Sequence, residues 1–299
     1  MWKKNKEFSD LSLRDVKAYI KNKRYKIKRD ISNFSELPSL MFDEMCPVFF
    51  VSTGRSGSEL LVKLFKKVKA GAVYHEPSPR MFLGSKLAYE IGDGHLESLK
   101  MSFLNARFEL LRTAFLNDKM YIETNNRVTF FMDAIADIFP KSKFIHIVRH
   151  PGSFVRSGLR RNYYEGAETD FGRIIPRKES KMIKKWSKMS QIEKISWLWN
   201  ETNSFIEQKK NRLNNQRVLT IRSNDLFTDP SIFQTICEFL NCPVLSQRLT
   251  KKILKKPVNF QKKGQIGEWH TWPKYEIELL EKWTPLGKVY GFWPNDKID

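Results

Sequence analysis

Residues 48–58, Val-Phe-Phe-Val-Ser-Thr-Gly-Arg-Ser-Gly-Ser, carry four apolar residues into a short turn with two glycines. The apolar run reads as a buried strand, and the polar turn after it must open a helix over 57–69. A strand, a glycine turn and a helix start in succession make a place to hold an anion. Gly54 and Gly57 let the backbone come close, while the first helical N–H groups and the helix dipole favour negative charge. Arg55 adds a cation, and Ser56 and Ser58 add two hydroxyls. The turn lacks the Gly-x-x-x-x-Gly-Lys-Ser/Thr spacing of an NTP site, so ATP with magnesium is not the expected ligand.

A second segment repeats the theme. Residues 143–157, Lys-Phe-Ile-His-Ile-Val-Arg-His-Pro-Gly-Ser-Phe-Val-Arg-Ser, read as a strand ending at Arg149, with Pro151 starting a helix that carries Ser157. Ligands of parallel sheets bind at the carboxyl ends of strands, so Arg149 and Ser157 suit a second phosphate group. A third segment, Phe260 to Trp269, offers Lys262, Lys263 and two glycines to an anion.

Further strands are expected at 72–76, 119–124 and 217–222, and helices at 97–117, 129–139, 151–161, 191–212 and 230–241. The alternation predicts an α/β domain with a parallel sheet covered on both faces. The chain has 299 residues, 41% of them hydrophobic, enough for one sizeable core. The expected division is a basic helical extension over 1–46, packed on the core, and one domain over 47–299. Residues 162–190 have little apolar periodicity and are expected to act as a lid over the acceptor or to form a surface loop.

The three anion-holding segments, in this order, resemble the sulfotransferases that use 3′-phosphoadenosine-5′-phosphosulfate (PAPS), over residues 47 to about 270. The resemblance implies a P-loop-like three-layer fold. It implies that Gly54, Arg55, Ser56, Gly57, Ser58 and Glu59 surround the 5′-phosphosulfate, and that Arg149 and Ser157 bind the 3′-phosphate. The late loop, with Lys262, Lys263, Gly264, Gly267, Glu268 and Trp269, would close over that phosphate. Arg222 to Pro230 is similar to the segment that lies beside the adenine in these enzymes.

The departures matter. Where many cytosolic relatives have Lys in the first turn and an aromatic beyond it, this chain has Arg55 and Glu59-Leu60-Leu61, so their adenine stack does not carry over. Where they have a catalytic His, this chain has Asn125, which is no base. Val73-Tyr74-His75-Glu76-Pro77 instead looks like the His-Glu-Pro segment of carbohydrate-type and bacterial sulfotransferases, in which the Glu is the base. His150 stands where the family often has Asp and reads as structural.

Sulfuryl transfer must orient two reactants, take a proton and stabilise charge on the leaving phosphate. Glu76 is the first candidate base, with His75 and Glu123 as rivals, and Arg55 is the candidate for stabilising the leaving group. A carboxyl group titrates near about 4.3, so a buried setting would make it a better base. No metal is expected, since the five His and three Cys show no ligand spacing.

The chain carries 53 Lys and Arg against 33 Asp and Glu, a net charge of +20. An anionic acceptor such as a charged saccharide would be drawn to a basic cleft, as would nucleic acid or a membrane surface. No nucleic-acid motif is present. From Ser12 onward an amphipathic basic helix is expected, packed on the domain or touching membrane. No apolar run is long enough to span a bilayer, and the first residues lack the apolar region of a signal peptide, so a cytoplasmic location is expected. Three cysteines without CxxC spacing suit reduced thiols. The reading is a PAPS-dependent sulfotransferase acting on a saccharide or a hydroxylated metabolite. The rival readings are a nucleotide-dependent phosphotransferase and a polyanion-binding module, and the oligomeric state is open.

Overall fold

The computed structural model describes residues 28–29, 35–255 and 266–294. The expected helix from Ser12 and the residues Lys262, Lys263 and Gly264 lie outside them. Five strands form one sheet: β1 (Val48–Val51), β2 (Gly71–His75), β3 (Met120–Thr124), β4 (Lys143–Val148) and β5 (Val218–Arg222). Their order is β2-β3-β1-β4-β5 and every pairing is parallel, with Val48 beside both Ile122 and Lys143. The glycine turn after β1 therefore leaves the central strand.

The strands are continuously apolar because both faces are covered. Alternate residues point to opposite sides. Phe49 and Val51 pack with Tyr121, Phe144 and Val148 in one layer, and Val48 and Phe50 pack with Ile122, Ile145 and Ile221 in the other. The first layer is closed by α4 (Leu96–Leu116), α5 (Met132–Ile138), α6 (Pro151–Leu159) and α8 (Gln191–Lys210), which supply Phe103, Ile135, Phe154 and Trp199. The second is closed by α2 (Ser58–Val68), α9 (Ser223–Thr228) and α10 (Pro230–Leu240), through Leu64, Phe65, Leu226, Phe233 and Ile236. Each such buried side chain contributes roughly 1.5–3 kcal/mol.

Starts and stops follow the local chemistry. Pro151 and Pro230 stand at the first turns of α6 and α10, and Ser190 with Glu193 forms a capping box on α8. The helix expected over 129–139 begins as a 3₁₀ turn, Asn126–Phe131, before α5. Several described helices fall outside the ranges marked one by one from the sequence, and two of them help to close the first layer. α1 (Leu37–Glu44) buries Leu37 and Met41 in the first layer. α3 (Phe82–Ile91) starts after Met81 in a left-handed conformation with no side-chain cap, so the usual start signal is missing.

Residues 162–190 are largely irregular, with a 3₁₀ turn at Asp170–Gly172 and the short α7 (Ile183–Trp186). The segment is nevertheless pinned. Tyr164 donates from its hydroxyl to the Ile174 carbonyl at 2.6 Å, and Trp186 packs edge-on against Tyr164 and Trp197, each at 5.1 Å.

Candidate active site

The turn after β1 is shaped by its own side chains. Gly54, Arg55 and Gly57 all have positive φ, at 86°, 59° and 99°. Ser52 Oγ accepts from the Gly54 N–H at 3.0 Å, and Ser56 Oγ donates to the Gly54 carbonyl at 2.9 Å. Ser56 is thus fully buried and spent on the turn, whereas Gly54, Arg55, Gly57, Ser58 and Glu59 line the cleft. Gly57 answers a second demand: a Cβ there would lie 2.9 Å from the Phe227 ring, which covers the turn from outside while staying 45% exposed.

Arg149, at the end of β4, donates through Nη1 to the Arg55 carbonyl at 2.7 Å, and its own carbonyl accepts from Trp199 Nε1 at 2.8 Å. Burial, reinforced by Arg55 and Arg161, holds the Arg149 guanidinium down at about 10. Burial and Arg55 likewise lower Arg161, whose Nη1 donates to Ser157 Oγ at 2.8 Å. Guanidiniums crowded together at this cost create a place for an anion. Arg156, Arg160, Arg161 and Arg173 line the same cleft and were not singled out from the sequence. Arg156, Arg160 and Arg161 follow Ser153 and Ser157 at helical spacing, which was the available signal.

The end of the late loop, Gly267 to Trp269, docks on α6. Arg156 donates from Nε to the Gly267 carbonyl at 2.9 Å and pairs with Glu268 at 3.0 Å. Trp269 stacks on His150 with ring centroids 4.4 Å apart. His150 Nδ1 accepts from the Gly152 N–H at 3.1 Å, capping α6.

His75 and Glu76 stand opposite the turn in the same cleft, of about 880 Å³. His75 Nδ1 lies 3.1 Å from the Thr124 carbonyl and 3.0 Å from Thr124 Oγ1, whose hydroxyl donates to the Tyr74 carbonyl, so the tautomer protonated at Nδ1 suits both contacts and presents Nε2 as an acceptor. Glu76 Oε2 accepts from Arg127 Nη1 at 2.8 Å, and the Arg127 guanidinium lies 3.7 Å over the Phe82 ring. Glu123 is different. It is fully buried, accepts from Arg107, Tyr121 and Asn125, and does not reach the cleft. Asn125 is spent on Glu123 and on the Arg127 N–H. Among the described residues no three His, Cys, Asp or Glu side chains converge on a point, and no helix is long and apolar enough to cross a membrane.

Residues 47–246 match the model of the sulfotransferase family. The chain belongs to that family. The enzyme class expected from the sequence, a PAPS-dependent sulfotransferase, is borne out with it. This sulfotransferase is similar to the sulfotransferase domain of the curacin biosynthetic pathway, at 15% identity and a TM-score of 0.48, over 84% of this chain and 99% of that one. It is similar to a sulfotransferase of Alicyclobacillus acidocaldarius, at 13% identity and a TM-score of 0.48, over 83% and 97%. A mouse sulfotransferase complexed with PAP matches at 16% identity and a TM-score of 0.48, over 87% and 93%. No curated protein matches the sulfotransferase sequence.

Proposed function

We propose that the cleft moves a sulfuryl group from PAPS to a hydroxyl of a saccharide or small metabolite, releasing adenosine 3′,5′-bisphosphate (PAP). The observation that carries this is convergence: the turn at Gly54–Ser58, the Arg149 and Ser157 pair and Glu76 line one cleft, with seven arginines against four glutamates. A donor with a phosphosulfate and a phosphate monoester of about −2 matches that excess.

In this reading the turn N–H groups and Arg55 hold the phosphosulfate, and Arg149, Ser157 and Arg161 hold the 3′-phosphate. Phe227, exposed beside Gly57 and inside the Arg222–Pro230 segment already likened to the adenine side of these enzymes, offers a face to the adenine. Glu76 takes the acceptor proton as the new O–S bond forms and the old S–O bond breaks. Arg55 stabilises charge gathering on the phosphate left behind. The segment 162–190 brings Tyr163, Thr169 and Arg173 to the wall, which supports its role beside the acceptor. The cytoplasm remains the proposed location, with which the free Cys46, Cys237 and Cys242 agree.

Calorimetric titration with PAP, beside 5′-AMP and ADP with magnesium, tests the reading. Tight binding that needs the 3′-phosphate is expected; preference for ADP with magnesium overturns it.

A further inference from the structure

Beneath the cleft lies a polar chain that begins at a pair shielded from solvent and ends at the cleft carboxylate of Glu76. Arg107 on α4 and Glu123 on β3 are both 0% exposed and pair through Nε at 2.8 and 3.0 Å. Glu123 also accepts from Tyr121 at 2.6 Å and from Asn125 Nδ2 at 2.8 Å. Asn125 Oδ1 accepts from the Arg127 N–H at 3.0 Å, and Arg127 donates to Glu76 at 2.8 Å. In the other direction Arg107 Nη1 donates to the Pro79 carbonyl at 2.9 Å. Both ends of the loop Glu76-Pro77-Ser78-Pro79 are therefore tied to one buried ion pair.

A buried pair of this kind is a poor stabiliser, since desolvation offsets the attraction and apolar residues of similar volume serve as well. Arg107 Nη2 even lacks a partner among the described residues. What the pair does supply is a fixed point joining α4, the end of β3 and the loop after β2. A second observation points the same way. Glu76 has φ 41°, a left-handed conformation that a residue with a side chain adopts at a cost and keeps only when its surroundings hold it there.

We propose that Arg107 and Glu123 are positioning residues for the proton acceptor: acting through Asn125 and Arg127 on one side and the Pro79 carbonyl on the other, they set where the Glu76 carboxylate stands in the cleft. The proposal rests on Glu76 being the base. It assigns the second carboxylate of the neighbouring strands an orienting task and no proton transfer of its own.

The test is Asn125→Ala, which cuts the chain while leaving the Arg107–Glu123 pair and the cleft residues intact, made alone and in a Glu76→Gln background. Turnover is read as PAP formed from PAPS with p-nitrophenol or water as acceptor, PAP affinity by calorimetry, and the carboxylate position by crystallography. A misplaced base predicts a kcat about 10 to 100-fold lower. PAP affinity should stay within about twofold, and no further loss should appear on Glu76→Gln, because both changes act through one group. A purely structural role would lower PAP affinity in parallel or multiply the two losses, and either result overturns the proposal. So does a Glu76 carboxylate unmoved in the Asn125→Ala crystal structure. If Asn125→Ala does not fold, Arg127→Lys at the cleft surface carries the same comparison. If Glu76→Gln turns over normally, the base assignment falls and this proposal falls with it; if Glu76→Gln is inactive and Asn125→Ala is unchanged, only the positioning is wrong.

Discussion

Arg149 Nη1 donates to the carbonyl of Arg55 at 2.7 Å, so the side chain that ends β4 holds the backbone of the turn that ends β1. The two proposed anion sites are one mechanical unit. Anything that moves one disturbs the other.

Arg149→Met should therefore damage more than the 3′-phosphate contact. Loss of a charge-assisted bond, plus a loosened turn, should weaken PAP binding by about 30 to 1,000-fold, at roughly 1.4 kcal/mol per decade. The preference for PAP over 5′-AMP should shrink with it. Calorimetry with both nucleotides measures the two effects; retained preference would remove Arg149 from the 3′-phosphate site.

Glu76→Gln keeps the shape of the side chain and removes its ability to take a proton. PAP affinity should remain within about twofold while kcat falls about 10² to 10⁴-fold, the usual worth of a general base. Steady-state kinetics beside calorimetry separates these quantities. Near-normal kcat would return His75, with its free Nε2, to first place.

Phe227→Ala should cost stacking of about 1–3 kcal/mol on any adenine nucleotide and nothing on pyrophosphate. The comparison of PAP with pyrophosphate as competitors shows whether the ring covers the base. Equal losses for both would mean that Phe227 only shields the turn.

Gly152→Ala tests the docking of the late loop. A Cβ there would come within 2.4 Å of the Trp269 ring, so the stack of Trp269 on His150 must open. Overpacking of this kind costs about 1–3 kcal/mol. A lower thermal midpoint together with weaker PAP binding would join the loop to the donor site, and an unchanged midpoint would show that Trp269 relocates freely.

Stability should decline below neutrality. Burial lowers His146 to about 4, and burial with Arg149 nearby lowers His150 to about 4 as well. In the unfolded chain both titrate near about 6.5. Between those values the unfolded state binds protons that the folded state refuses, so stability is complete above the upper value and is lost as pH falls through the window. The fully buried His146 should contribute a slope of about 1.4 kcal/mol per pH unit, and the more exposed His150 less. Urea unfolding at several pH values reads the slope, and His146→Gln should flatten it.

Much of the site was legible because its signals are local. The strand-turn-helix at 48–58 and the Arg149 to Ser157 spacing depend on adjacent residues, and the five expected strands lie within a few residues of those observed. α3 was not legible, since its start carries no side-chain cap, Gly84 interrupts its first turn, and it packs against two segments distant in the chain, Asn126–Phe131 and Asp170–Gly172. Arg173 was equally hidden, because it enters the cleft from an irregular segment, whereas Arg160 and Arg161 could have been found from their helical spacing to Ser157.

The sequence by itself determined the alternation of strands and helices, the anion-holding turns and the order in which they occur, because apolar period, glycine and proline act over a few residues. It could not choose between Glu76 and Glu123. Both stand at the ends of apolar strands that pair side by side, with Tyr74 opposite Glu123 and His75 opposite Thr124. Only the tertiary structure separates them in space: Glu76 lies one residue past β2 and lines the cleft, while Glu123, still inside β3, points into the layer where Arg107 meets it. Alternation along a strand sets the side of a residue, but which side holds a cation or a cleft depends on helices far away in the chain.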